Sequence, residues 1–191
     1  MPLEFEIEFE GEDEPVLTLP YERNFEDGRA NRGFTDLRGR PELAAEIAEA
    51  VASPALKALL VALAEPASPF FSIGCDHRPW PPAEEGGAHQ SAGYIQLIFS
   101  GLEREAVDHR RHLQFGRDLK MRLERAVGDE SWVVKLIVAA VDATDIGGPE
   151  EVWSPVIEFC ALGPTEYDAS ASAERLIGAL RDFVSSEPPL R

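Results

Sequence analysis

The chain has 191 residues, of which 44% are hydrophobic and 28% are charged, a composition typical of a globular protein with a sizeable core. Its 35 acidic and 18 basic residues give a formal net charge of −17. This charge argues against nucleic acid and anionic membrane surfaces as ligands, because both are bound through clustered Lys and Arg. No apolar run approaches the roughly 18 residues of a membrane helix. The first residues lack the basic head and apolar middle of a secretion signal, so a cytoplasmic protein is expected.

The N-terminal segment alternates strictly between apolar and acidic residues over residues 3–10. Such alternation predicts a half-buried strand whose glutamates face either solvent or basic groups. After a turn at residues 11–15, Val16 to Leu19 is predicted to return as a second strand.

The helical segments carry recognisable start and stop signals. Pro41 predicts the first turn of a helix that continues to Ala52, and Ser53 followed by Pro54 predicts the cap and first turn of a second helix. A third helix is predicted from Glu103 to Val127 with Gly128 as its stop, and a fourth over residues 170–184.

The centre of the chain contains two apolar runs, residues 70–75 and 94–99, that are predicted to be neighbouring strands. The tract between them, residues 76–93, is rich in Pro, Gly and Glu and contains two histidines. It is predicted to be a long irregular loop, and loops of this length are usually functional or disordered.

Two further strands are predicted at residues 132–141 and 156–162, so the order strand, strand, helix occurs three times. Consecutive strands joined by short connections favour antiparallel pairing. We therefore predict a single α+β domain over residues 1–191, with a mostly antiparallel sheet of about six strands and helices packed on one face. The other face is expected to carry a polar set: Tyr94, Gln96, Ser100, Ser72, Lys135 and Glu158.

The residue types suited to catalysis concentrate at the start of the central loop. Cys75, Asp76 and His77 are contiguous, and His89 lies at the far end of the same tract. A cysteine activated by a histidine is the nucleophile of many hydrolases and transferases. The alternative is a core cysteine beside exposed loop residues. Zinc sites bring paired ligands at short spacings that are absent here, so no metal and no cofactor is expected.

Residues suited to protein binding lie in the central loop and before the last predicted strand. Trp80 and Trp153 both stand next to prolines, and tryptophan is enriched in binding hot spots; alternatively, each caps the core beneath its loop. With Arg78, Tyr94 and Gln96 they form the predicted binding set.

Three functions are consistent with these patterns. The first is an acidic binding protein, of an inhibitor or immunity type, that acts on a basic protein partner. The second is a small hydrolase or transferase that uses Cys75, His77 and His89. The third is a homo-oligomeric module whose open sheet face pairs with itself. The sequence contains no phosphate-binding loop, dinucleotide-binding glycine motif or serine-hydrolase elbow.

Overall fold

A computed structural model describes residues 3–11, 15–23, 32–82, 87–100 and 108–186. Within these ranges the chain forms an α+β fold of six strands and four α-helices. In chain order they are β1 (Leu3–Phe9), β2 (Leu17–Thr18), α1 (Ala48–Ala52), α2 (Pro54–Ala64), β3 (Phe70–Trp80), β4 (His89–Phe99), α3 (His109–Ala126), β5 (Ser131–Asp142), β6 (Val152–Gly163) and α4 (Glu166–Ser186). No helix in the described part of the chain combines the length and apolar character needed to span a bilayer.

All six strands belong to one mostly antiparallel sheet. Five of them are ordered β1-β5-β6-β4-β3, and the short strand β2 pairs with β5. β3, β4, β6 and β5 pair antiparallel in that order, whereas β1 and β2 both run parallel to β5. The prediction that consecutive strands pair with each other is therefore wrong for β1 and β2. β5 has 12 residues, and this length lets it pair with β1 along residues 132–138 and with β2 at residues 141–142.

The helices pack against one face of this sheet, as the sequence predicts. Trp132 of β5 is buried there, and its indole nitrogen donates a hydrogen bond to the Ser172 hydroxyl of α4 at 2.9 Å. Phe115 of α3 meets the ring of Phe70 in β3, with the two ring centroids 5.4 Å apart. The main core lies between the helices and this face.

The N-terminus of α2 is fixed by contacts from two elements. The Ser53 hydroxyl accepts the Leu56 backbone N–H at 3.1 Å, which confirms the predicted cap. Glu174 of α4 accepts hydrogen bonds from the Ser53 hydroxyl and from the Ala55 backbone N–H. A carboxylate at this position also complements the positive end of the helix dipole.

Other helix boundaries differ from the prediction. The segment predicted as one helix from Pro41 to Ala52 is a 3-10 helix, Pro41–Ala45, followed by the separate short helix α1. α3 begins at His109, capped by Asp108, and the predicted helical residues 103–107 lie outside the described ranges. Gly128 has a φ of 59°, in agreement with its predicted role as a stop.

The central hairpin is much longer than predicted, and the prediction of an irregular tract is wrong for residues 76–80 and 89–93, whereas residues 83–86 of the tract lie outside the described ranges. β3 continues to Trp80 and β4 begins at His89, with Asp76 opposite Tyr94 and Trp80 opposite Gln90. Polar residues and Pro79 are tolerated in β3 because it is the outermost strand, where a missing N–H does not interrupt the sheet. β6 likewise begins at Val152, so Trp153 lies in a strand rather than a loop.

Candidate functional site

The sheet face opposite the helices, called the open face below, is crossed by a continuous row of paired residues. The row contains one residue from each of five strands: Asp76, Tyr94, Glu158, Lys135 and Glu6. Residues paired across neighbouring strands point to the same face. The row therefore brings three carboxylates and one lysine together across the width of the sheet.

The next row supplies an apolar floor beside these charges. Ala92, Cys160 and Val133 are paired in sequence across β4, β6 and β5, and Glu4 of β1 follows them. Apart from Asp76, the residues of the two rows line a hollow of about 430 Å³, called the face hollow below. Ser72, which was predicted to lie on this face, is instead buried opposite Leu97 on the helix side.

Among the described residues, Lys135 is the single basic side chain that lines the face hollow. Its ammonium group forms an ion pair with Glu8 of β1. The hydrogen bond to Glu8 raises the pKa of Lys135, and Glu158 and Glu6 contribute to the same shift. Lys135 is thus already paired with a carboxylate, while Glu4, Glu6 and Glu158 are exposed. The net charge around the face hollow is negative.

A second and larger hollow, called the edge cleft below, lies along β3. It encloses about 880 Å³, and its lining includes residues 72–76, Arg78 and Trp80 of β3 together with residues of α1 and of the segment 32–37. Arg32 of that segment forms an ion pair with Glu49 of α1, with 3.5 Å between nitrogen and oxygen. Tyr94 lines both hollows, so the face hollow and the edge cleft are neighbours.

Three residues on the open-face side of β3 form a contact series at the cleft. The Arg78 guanidinium lies 3.4 Å from the Asp76 carboxylate and 4.4 Å from the centre of the Trp80 ring. Trp80 is 44% exposed. An arginine held over an exposed tryptophan presents the two residue types most enriched in interface hot spots.

Cys75 lines the edge cleft but points to the other side of β3, with its thiol half-buried. Burial raises the pKa of Cys75 to about 12, and the nearby carboxylates Glu49 and Asp76 add to this shift. Burial similarly raises the pKa of Tyr21 to about 12, and its hydroxyl donates to the Ile73 carbonyl at 2.8 Å. At neutral pH both groups keep their protons.

The predicted histidine partners do not assemble around Cys75. His77 follows on the same side of β3, but its Nε2 lies 3.0 Å from the Ser91 hydroxyl, and burial lowers its pKa. His89 lies six residues along β4 from Ile95, the residue opposite Cys75. At about 3.3 Å per residue this places His89 roughly 20 Å away from Cys75.

The predicted binding residues divide into two groups. Arg78, Trp80 and Tyr94 all line the edge cleft. Gln96 is buried, and neither of the two hollows includes it. Trp153 lies elsewhere, with its ring 4.5 Å from that of His109 and its carbonyl 2.8 Å from Nε2 of His112.

Several site residues were not singled out from the sequence. Glu4 and Glu6 had a usable signal, because strict alternation places them on one face. Tyr21, Arg32 and Glu49 had none, since they reach the cleft from segments distant along the chain.

The described residues contain no group of three or more His, Cys, Asp or Glu side chains placed to hold a metal ion. Comparisons with protein-family models, curated proteins and solved structures find no match to this chain. The chemistry of the two hollows is therefore the basis for the function proposed next.

Proposed function

We propose that this chain is a cytoplasmic binding protein that recognises a basic protein through its open face. The observation that carries the proposal is the convergence of Glu4, Glu6 and Glu158 on one hollow with an apolar floor. No helix in the described part of the chain covers that face. An inhibitor or immunity-type role against a basic target fits the same chemistry.

The two rows of the open face supply complementary contributions to such binding. Lys or Arg side chains of a partner would replace repulsion among the three glutamates with attraction. Burial of Ala92 and of Val133, which is 38% exposed, adds a hydrophobic contribution at about 25 cal/mol per Å². The net charge of −17 also raises the rate of encounter with a positively charged protein.

A small hydrolase or transferase remains the second candidate, favoured by the position of Cys75 on the wall of the edge cleft. The raised pKa of its thiol and the distance to His89 give that chemistry less support than binding has. A thiolate is the reactive form of cysteine, and burial beside carboxylates opposes its formation.

The proposal is tested by a partner recovered with the wild-type protein from its source cells and then purified. Its affinity is compared between the wild type and two triple variants with equal net charge. One carries Glu4→Gln, Glu6→Gln and Glu158→Gln on the open face. The control carries Glu65→Gln, Glu150→Gln and Glu151→Gln, three exposed glutamates outside the helices and strands.

Binding should be weakened about tenfold or more by the open-face substitutions and little by the control, and it should decrease as salt rises. Equal weakening by both variants would show that only overall charge matters. Salt-independent binding that neither variant changes would contradict the proposal.

A further inference from the structure

The two edges of the sheet differ in their surroundings. Among the described residues, β3 is the outermost strand at one edge, and β1 and β2, which both pair with β5, form the other edge. β3 pairs with β4 on one side, and no described strand pairs with it on the other. The edge cleft runs along this free side from Ser72 to Trp80. An exposed edge beside a cleft of this size is the geometry into which a further strand can be added.

The direction of the free backbone groups follows from Pro79. In an antiparallel strand, alternate residues exchange both backbone hydrogen bonds with one neighbour, and the residues between them point the other way. Proline is tolerated where its missing N–H would face away from the ladder. His77 and Cys75 occupy the same alternating set of positions as Pro79, so their N–H and C=O groups point away from β4, to the free side of β3, where Cys75 lines the cleft.

One contact at the start of the cleft shows that this edge accepts a hydrogen bond from outside the sheet. The Tyr21 hydroxyl donates to the carbonyl of Ile73, just before the regular part of the edge. Beyond it the opposite wall is formed by residues 32–37 and by α1. Between that wall and β3 lies the space for an extended segment.

The charges around β3 indicate which kind of segment fits. Side chains of an added strand alternate between the two faces of the sheet. Those on the open-face side lie beside Asp76 and Arg78 and close to Tyr94, which also lines the face hollow with its glutamates. Glu46 and Glu49 line the same cleft.

Arginines balance this charge within the cleft, because its described lining contains three arginines and three carboxylates. Arg32 pairs with Glu49 and Arg78 with Asp76. The excess of negative charge is therefore on the adjoining open face rather than in the cleft itself.

We propose that β3 binds an extended segment of the basic partner as an added strand. Backbone hydrogen bonds to Cys75 and His77 hold the segment, while its basic side chains lie towards the open face. The inference rests on the proposed function, because it takes the same partner and describes how part of that partner docks.

A synthetic peptide tests the docking mode without the natural partner. The probe is the acetylated and amidated heptapeptide Lys-Val-Lys-Val-Lys-Val-Lys, which spans the edge from Cys75 to Trp80 at about 3.3 Å per residue. Two isomers carry three backbone N-methyl groups each, one at the valine amides and the other at the three later lysine amides. Both keep the charge of the parent peptide, and both lose three N–H donors.

An added strand directs only one of these two sets of N–H groups towards β3. In titrations at low salt, the dissociation constants of the two isomers should therefore differ by about tenfold or more, because only one isomer loses two or three hydrogen bonds to β3. Binding of the parent peptide should also slow hydrogen exchange at the amides of Cys75 and His77. A glutamate-for-lysine version of the peptide should bind more weakly than the parent.

The alternatives give different results. If both methylated isomers bind as tightly as the parent, the peptide is held by charge alone; strand addition is then wrong and the proposed function stands. Failure of the parent peptide to bind at low salt also overturns strand addition. Equal binding of the glutamate peptide contradicts the basic character of the segment. Protection of Cys75 and His77 that rises with protein concentration alone would assign the edge to a second copy of this chain.

Discussion

Four successive residues, Cys75 to Arg78, serve two different surfaces because a strand alternates its side chains. Cys75 and His77 point towards the helix side, where burial keeps the thiol protonated and the imidazole neutral. Asp76 and Arg78 point to the open face and join Trp80 in a contact series. Neighbouring residues that resemble one catalytic cluster in the sequence are thus divided between the two faces of the sheet.

Thiol reactivity follows directly from this placement. In the Cys160→Ser variant, Cys75 should react with a disulfide reagent at pH 8 at least about tenfold more slowly than an exposed thiol, because reactivity follows the thiolate fraction. A pKa of about 12 means that the rate should keep rising with pH well beyond 9. Stopped-flow absorbance gives both results.

The same variant in concentrated urea is the control, since unfolding should restore ordinary reactivity. Reaction of folded Cys75 at neutral pH faster than that of a free thiol would instead support the hydrolase or transferase hypothesis.

At the scale of elements, the β3–β4 pair depends on a close backbone approach at Gly93. A Cβ atom at this position would lie 2.0 Å from the backbone carbonyl oxygen of Asp76, and a backbone oxygen cannot rotate aside as a side chain can. Gly93→Ala should therefore reduce the free energy of unfolding by about 2 kcal/mol or more. Urea denaturation followed by circular dichroism measures the change.

Gly178→Ala is the matched control, because a Cβ at that site in α4 meets nothing within 4 Å. Alanine is favoured over glycine in a helix, so this variant should gain about 0.5–1 kcal/mol. A Gly93→Ala variant as stable as the wild type would mean that β3 and β4 do not approach each other this closely.

Local sequence signals identified most elements but not all of their pairings or limits. Alternation in residues 3–9 and the Ser53 cap are properties of short segments, and both were predicted correctly. The parallel pairing of β1 with β5 joins residues more than 120 positions apart, and no local pattern specifies it. The extension of β3 through Pro79 was missed because edge strands tolerate residues that usually mark loops.

For the molecule as a whole, composition indicated the class of partner but not the binding surface. The excess of acidic residues is visible in the sequence. The row from Asp76 to Glu6, however, exists only because the register of four strand pairs aligns one residue from each of five strands. Arg78, Trp80 and Tyr94 could be selected as contact residues by type alone; the hollow they adjoin could not.

The convergence of carboxylates should have a measurable cost in stability. Like charges confined to one hollow repel, and the ion pairs found in the described structure are largely at the surface, where each contributes little. Raising NaCl from about 0.02 to about 0.5 M shortens the screening length from about 20 Å to about 4 Å. The urea midpoint should therefore rise with salt.

The two triple glutamate variants locate the origin of this effect. Both remove three negative charges, but only Glu4, Glu6 and Glu158 line the face hollow. At low salt the open-face variant should gain more stability than the control, and high salt should abolish the difference. If the open-face variant is more stable and also binds the partner more weakly, the three glutamates serve recognition and reduce the stability of the fold. An equal gain in both variants would attribute the repulsion to overall charge, with no special role for the open face.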